Sequence, residues 1–383
     1  METIVDDKAG VHRVYPSIKV AVRVRPMSQT ERAKLCPEQC AQVDVSGSSG
    51  SHVRLMQRNS ALEPSGFAFD HVYDYDATQH AIYEDLGRPL VKHAFEGQTC
   101  LLFAYGATGS GKTHSLTGNT LNPGISTRLF CEVFDTISLL QQSSADFRST
   151  ITVSISHAEI YNESVQDLLE AGKMHSRRST RPVAFHEQLG GMNPDGTTEY
   201  AVTTPEEMCK YKELGDQAWK SKRHRLNCSS ASLSHTIFSI HIRRTNHAHA
   251  PQQDDTVGHI HIIDLASSNV SEHLQRELTP SSAARDACDD ARTREMMSAA
   301  AVVDKCLSNL NASLGSLAPR SAVARSSHAH PNLHTQRTDN NKLFAHLLKG
   351  AHLHSCTCVV LACISPALEA IGESILTLEF ASR

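Results

Sequence analysis

The spacing of apolar residues changes character several times along the chain, and each change predicts an element. From Ile18 to Pro26, Ile18, Val20, Val22 and Val24 alternate with Lys19, Arg23 and Arg25. This is the two-residue period of a strand with one face in a core and two arginines on the other, and Pro26 ends it. Thr99 to Tyr105 and Cys356 to Ile364 are instead continuous apolar runs, the pattern of strands covered on both faces. Further strands are expected at Ile151 to Ile160, Thr236 to Arg243 and His259 to Asp264. Helical spacing predicts helices at Thr78 to Phe95, Ile125 to Gln141, Thr204 to Trp219, Glu295 to Leu317, Lys342 to Lys349 and Glu373 to Ser382. Residues 1–17 read as a lead-in, Ser46 to Ser51 as a flexible turn, and 170–200, 270–294 and 318–341 as loops without a period. Strands and helices interleave throughout, which predicts an α/β fold with a largely parallel central sheet covered by helices on both faces.

Composition narrows the picture in three ways. With no run of about 18 apolar residues and no basic-then-apolar leader, a soluble, intracellular protein with no membrane partner is expected. Eleven cysteines without a regular framework read as reduced thiols. A formal net charge of −4 argues against wholesale nucleic-acid binding. The 23 histidines offer one arrangement with metal-like spacing, His352, His354, Cys356 and Cys358; side chains in a row along one strand do not converge on a tetrahedron, so no metal site is expected there.

The stretch Gly106, Ala107, Thr108, Gly109, Ser110, Gly111, Lys112, Thr113 is where chemistry concentrates. It is Gly, four residues, then Gly-Lys-Thr, after a buried strand and before a helix, which is the phosphate-loop pattern in its required context. The glycines let backbone N–H groups turn onto a polyphosphate. Lys112 is expected to reach the β- and γ-phosphates and the Thr113 hydroxyl to ligate Mg²⁺. A glycine-rich turn matching by chance is the alternative. The residues therefore indicate a nucleoside triphosphate site.

Several separated stretches, in order, resemble the kinesin motor domain. They are Ile18 to Pro26; Phe69 to Tyr73 with Ala77 to Gln79; Phe103 to His114; Glu159 to Glu163 with Asp167 to Leu169; and Leu378 to Arg383. The resemblance spans residues 18–383 as one motor domain. It implies a phosphate-loop NTPase that binds ATP and Mg²⁺, hydrolyses ATP, and associates with microtubules in the cytoplasm and cytoskeleton. It also implies that Arg23, Arg25, Pro26 and His114 frame the adenine.

Both of the family's switch loops depart from the pattern. The first resembles Asn-x-x-Ser-Ser-Arg-Ser-His; aligned on His235, the chain has Cys228, Ala231, Ser232, Leu233 and Ser234. Ser232 retains a hydroxyl for Mg²⁺, while the arginine is Leu233. The second resembles Asp-Leu-Ala-Gly-Ser-Glu and here reads Asp264, Leu265, Ala266, Ser267, Ser268, Asn269. Lys112, Ser232 and Asp264 are thus the catalytic candidates, Asp264 as an outer partner of Mg²⁺. The family's arginine and glutamate pair to close the switches, so their joint loss predicts nucleotide binding with hydrolysis that is slow or lost. A gapped alignment through Ser229 and Ser230 restores serines but no arginine.

The track-facing stretch of the family corresponds to Arg337 to Leu343, and residues 318–350 carry Arg320, Arg325, Arg337, Lys342 and Lys349 against Asp339. That basic patch is a candidate for the acidic microtubule, with a solvated loop as the alternative. In the preceding helix, Asp304 to Leu307 replaces Asn-Lys-Ser-Leu. The sequence ends at Arg383 without sustained heptads, so no neck or coiled-coil stalk is expected. A second reading is a non-catalytic module that docks tubulin, a partner motor or an adaptor. A third, an unrelated phosphate-loop kinase or GTPase, lacks a base-reading motif.

Overall fold

In this computed structural model the described residues are 17–34, 42–46, 52–56, 65–143, 149–162, 164–170, 181–182, 185–188, 191–194, 197–225, 233–246, 256–268, 270–271, 287–317 and 356–382. The elements in chain order are β1 (Ser17–Val24), α1 (Gln29–Lys34), β2 (Gln42–Ser46), β3 (His52–Met56), β4 (Ser65–Ala68), β5 (His71–Tyr73) and α2 (Gln79–Ile82). A π-helical turn, Tyr83–Gly87, then leads into α3 (Arg88–Phe95), β6 (Thr99–Tyr105), α4 (Lys112–Leu116) and α5 (Ile125–Ser143). The second half holds β7 (Ser149–Tyr161), β8 (Ser164–Asp167), β9 (Arg181–Pro182), β10 (Phe185–Gln188), β11 (Gly191–Pro194), β12 (Tyr200–Val202) and α6 (Pro205–Arg225). It closes with β13 (His235–Asn246), β14 (Thr256–Asp264), α7 (Ala287–Leu317), β15 (Cys356–Ile364) and α8 (Ile371–Ser382).

The main sheet has ten strands in the order β5-β1-β15-β6-β14-β13-β7-β8-β9, with β12 also paired to β7. The α/β class holds, and the sheet is mixed rather than largely parallel. β5, β1, β15, β6 and β14 run parallel; β13, β7, β8, β9 and β12 join by antiparallel pairing. The reason is loop length. Residues 247–255 between β13 and β14 are fewer than the dozen or so that a parallel crossover requires, and β7 turns into β8 through Asn162 at φ 46°.

β6 is the axis of the core, buried at every position. Leu101, Phe103 and Tyr105 face a cluster with Ala299, Val303, Leu307 and Leu310 of α7. Cys100, Leu102 and Ala104 face the opposite cluster, with Leu90 of α3, Ile125 and Phe130 of α5 and Met208 of α6. Alternation along a strand delivers both sets, which explains why this run is apolar throughout. At the β1 edge, Val22 and Val24 pack with Val53 and Leu55 of a three-stranded antiparallel sheet, β2-β3-β4, and with Leu378 of α8.

Other differences from the sequence reading are local. The three-stranded sheet lies in a stretch where no strand is expected, and the β10-β11 hairpin in one read as loop. α6 continues through the basic run to Arg225, and α7 begins at Ala287, eight residues before Glu295. Of the expected lead-in 1–17, Ser17 opens β1, while residues 1–16, the helix Lys342 to Lys349 and the loop 318–341 lie outside the described residues.

Two glycines give opposite predictions. A Cβ at Gly258 would lie 1.8 Å from the Ala94 carbonyl oxygen, because α3 packs on β14 backbone to backbone. Gly258→Ala should cost about 3 kcal/mol through forced separation of these elements. A Cβ at Gly372, in the first turn of α8, meets nothing within 4 Å, so Gly372→Ala should stabilise by about 0.5–1 kcal/mol. Urea unfolding midpoints of the two variants check both signs.

Candidate phosphate-loop site

β6 ends at Tyr105 and α4 begins at Lys112, so residues 106–111 cross from the sheet edge to a helix start. Gly106, Gly109 and Gly111 take φ values of 142°, 76° and 103°, a region that side chains oppose. A Cβ at Gly106 would come within 2.3 Å of the Cys363 carbonyl oxygen, so the loop rests on β15. At Gly109 a Cβ would meet nothing within 4 Å, leaving open space before the loop. Lys112 is buried, and its Nζ donates to the carbonyls of Gly106 at 2.7 Å and Ala107 at 3.0 Å. The loop's own backbone therefore keeps the amine at its centre.

Thr113 is exposed, and its hydroxyl donates to Asp264 Oδ2 at 3.3 Å across the gap to the end of β14. Burial pushes the Asp264 carboxyl above the usual range, while the Lys112 charge pulls it down. Asp264 Oδ1, Ser110 Oγ and Ser268 Oγ are buried with no hydrogen-bond partner among the described residues. A hydroxyl and a carboxylate with an unsatisfied oxygen are the hard oxygen donors that suit Mg²⁺. Thr113 and Asp264 thus fit the ion; Ser232 lies outside the described residues.

β1 supports the loop from its flank. Arg25 forms a bidentate pair with Glu31 at 2.7 and 2.5 Å, and its Nε donates to the Gly109 carbonyl at 2.7 Å. That pairing holds the Glu31 carboxyl at about 2. Arg23, expected at the adenine, is engaged from within the protein. It is buried, its Nη1 donating to Gln79 Oε1 at 2.6 Å and Ser115 Oγ at 2.9 Å. Gln79 Nε2 in turn donates to the His114 carbonyl at 2.7 Å. Arg23 thus ties β1 and α2 to α4 from beneath, since a buried guanidinium needs acceptors on the core side. Pro26 and the His114 side chain are exposed beside the loop.

The segment after β14 lies directly against this loop. Leu265 N donates to the Ala104 carbonyl at 3.1 Å and Ser268 N to the Gly106 carbonyl at 3.2 Å. The Thr108 hydroxyl donates to Ser267 Oγ at 2.8 Å, with Ser267 buried. His235, also buried, accepts from Ala266 N through Nδ1 at 3.0 Å, joining the start of β13 to the same segment. Leu233 is buried with Leu265, Ala266 and Val270. Asn269 lies outside the described residues. Ser271 Oγ donates to Asp304 Oδ2 at 2.5 Å, which links this segment to α7.

With this geometry in hand, the chain can be placed among known proteins. A sequence profile of the kinesin motor domain matches residues 23–383. The chain belongs to the kinesin motor domain family. It is 30% identical to the human Kinesin-like protein KIF13A over 378 residues, which are 96% of this chain and 19% of that protein. It is 29% identical to Kinesin-like protein KIN-8A of Arabidopsis thaliana over 369 residues, which are 96% of this chain and 45% of that one. The chain therefore spans less than half the length of these relatives. Among solved structures, KIF14 with ADP in complex with a microtubule superposes with a TM-score of 0.69 at 24% identity, covering 96% of this chain and 94% of that one. This likeness is one of fold: a kinesin-type phosphate-loop NTPase.

Sequence reasoning did not anticipate the roles of Gln79, Thr108 and His235. Their signals were present, since Gln79 closes a quoted stretch, Thr108 lies in the loop, and His235 anchored the first-switch alignment. The candidate track residues Arg320, Arg325, Arg337, Lys342 and Lys349 lie outside the described residues. So do His352 and His354; Cys356 and Cys358 are buried thiols pushed up by that burial. Among the described residues no group of three or more histidines, cysteines or acids can hold a metal ion.

The buried histidines make stability pH-dependent. Burial lowers His235 and His241 to about 4 and takes His157 and His261 well below 6.5. Unfolding releases them to bind protons at their ordinary value of about 6.5, so the unfolded chain holds more protons between those limits. Stability should be full above about pH 6.5 and fall as pH drops toward 4. The raised Asp264 opposes this as a single group. Thermal unfolding midpoints across this range check the sign.

Proposed function

We propose that this motor domain binds ATP with Mg²⁺, docks on microtubules, and hydrolyses ATP slowly or not at all. The observation that carries the nucleotide reading is the loop itself. Its glycines leave open space at Gly109, Lys112 sits at its centre, and Thr113 faces Asp264. In this reading the loop N–H groups and Lys112 meet the phosphates, and Arg25, Pro26 and His114 flank the base. Thr113 and Ser232 are the proposed Mg²⁺ ligands, with Asp264 orienting Thr113. When bound, the ion neutralises charge on the β- and γ-phosphates.

Weakened turnover is supported by the buried Leu233. At that position an arginine without its glutamate would be a buried, unpaired charge, at a cost of several kcal/mol; leucine packs without one. The same observation favours the second reading, a non-catalytic module holding tubulin, a partner motor or an adaptor. Microtubule docking is supported by family membership and by the basic residues of 318–350. It would place the protein on the microtubule cytoskeleton of the cytoplasm.

Fluorescent ATP analogue binding should be Mg²⁺-dependent. Lys112→Ala should weaken it about ten- to a hundred-fold, the range expected for losing a charge-assisted phosphate contact. Co-sedimentation with microtubules should occur and weaken with added salt. Absence of nucleotide binding by the unaltered protein removes the first part of the reading, and absence of pelleting removes the second.

A further inference from the structure

Two serine and threonine hydroxyls meet where the phosphate loop touches the segment after β14. Thr108 Oγ donates to Ser267 Oγ at 2.8 Å, and Ser267 is 1% exposed. The contact does not stand alone. On one side of Ser267, Ala266 N is held by His235, and on the other, Ser268 N is held by the Gly106 carbonyl. Three consecutive residues, 266, 267 and 268, are therefore pinned, two by backbone N–H groups and one by its side chain. The side-chain link depends on Ser267, because a glycine at that position, as in the motif it resembles, has no hydroxyl to offer.

A loop that senses a third phosphate does so by moving between two arrangements, one kept by contacts within the protein and one drawn in by the phosphate. A half-buried hydroxyl pair adds to the first arrangement only. Breaking it leaves two polar groups that need new partners, so whatever opens the contact bears that cost. A ligand can shift the balance only through its difference in affinity for the two arrangements.

We propose that the Thr108–Ser267 hydroxyl pair is a latch that sets the site's preference by phosphate count, favouring a nucleoside diphosphate over a triphosphate. A diphosphate is held by the loop and Lys112 with the latch closed. A triphosphate requires the segment 266–268 to be released from Thr108. Ser267 and Thr108 are thus specificity-determining residues. The inference rests on the nucleotide-binding reading above and goes beyond it by fixing which nucleotide is retained.

The test is equilibrium binding of a fluorescent diphosphate and a fluorescent, non-hydrolysable triphosphate, both with Mg²⁺. It compares the unaltered chain, Thr108→Val, Ser267→Ala and the double variant. Thr108→Val removes the donor at nearly constant shape, and Ser267→Ala removes the acceptor without freeing the backbone. Each should lower the ratio of triphosphate Kd to diphosphate Kd about three- to ten-fold, the scale of one hydrogen bond. The double variant should shift the ratio no further than either single one, which a general loosening of the loop would not produce. A ratio that stays fixed in both single variants overturns the latch. So does a ratio that rises, which would mean the Ser267 hydroxyl contacts the third phosphate itself. Failure of the unaltered chain to bind either nucleotide overturns the nucleotide reading and the latch with it; binding of both with an unmoved ratio overturns the latch alone.

Discussion

The loop from Gly106 to Gly111 must press its backbone on β15 while keeping the other side of that backbone uncovered, and the rest of the structure serves this constraint. A loop under such demands holds its shape only if its entry and exit are fixed. Entry is fixed by β6, buried on both faces between α7 and the α3-α5 layer. Exit is fixed by α4, whose Ser115 hydroxyl takes a bond from the buried Arg23. Arg25 adds a third anchor on the Gly109 carbonyl. Arg23 of β1 and Arg25 just after it thus brace the loop from below and from the side.

The partner of this loop is the segment after β14. In a site that turns over, that segment has to respond to a phosphate; here its backbone and one side chain are already engaged by protein groups. Leu233 completes the picture from the side of β13, filling apolar space with Leu265 and Ala266 where charge would need a partner. In the proposed reading these features favour holding a nucleotide over rearranging around it. The Ser271 to Asp304 hydrogen bond links the same segment to α7, whose Ala299 and Val303 share an apolar cluster with Leu265 and Ala266.

The sequence made the site more legible than the sheet. Phosphate-loop residues are readable because their roles are local: glycine conformation, a lysine and a hydroxyl at fixed spacing. Strand direction is not local. It depends on what joins two strands, and 247–255 was a length to be measured rather than a pattern to be read. Arg23 shows the limit at single-residue scale. Alternation put it on the polar face of β1, yet that face is covered by α2 and α4, and nothing in the strand itself announces the cover. The Thr108–Ser267 pair, 159 residues apart in sequence, likewise becomes visible only when β14 is seen beside β6.

In the proposed reading this motor domain retains nucleotide and hydrolyses it slowly or not at all. A pulse-chase partition experiment tests this most directly. The protein is loaded with labelled ATP and Mg²⁺, then mixed with excess unlabelled ATP, with and without microtubules, and the label is recovered. Most label should leave as ATP, and microtubules should not shift the partition many-fold. Label leaving mainly as ADP, at a rate greatly increased by microtubules, would contradict it.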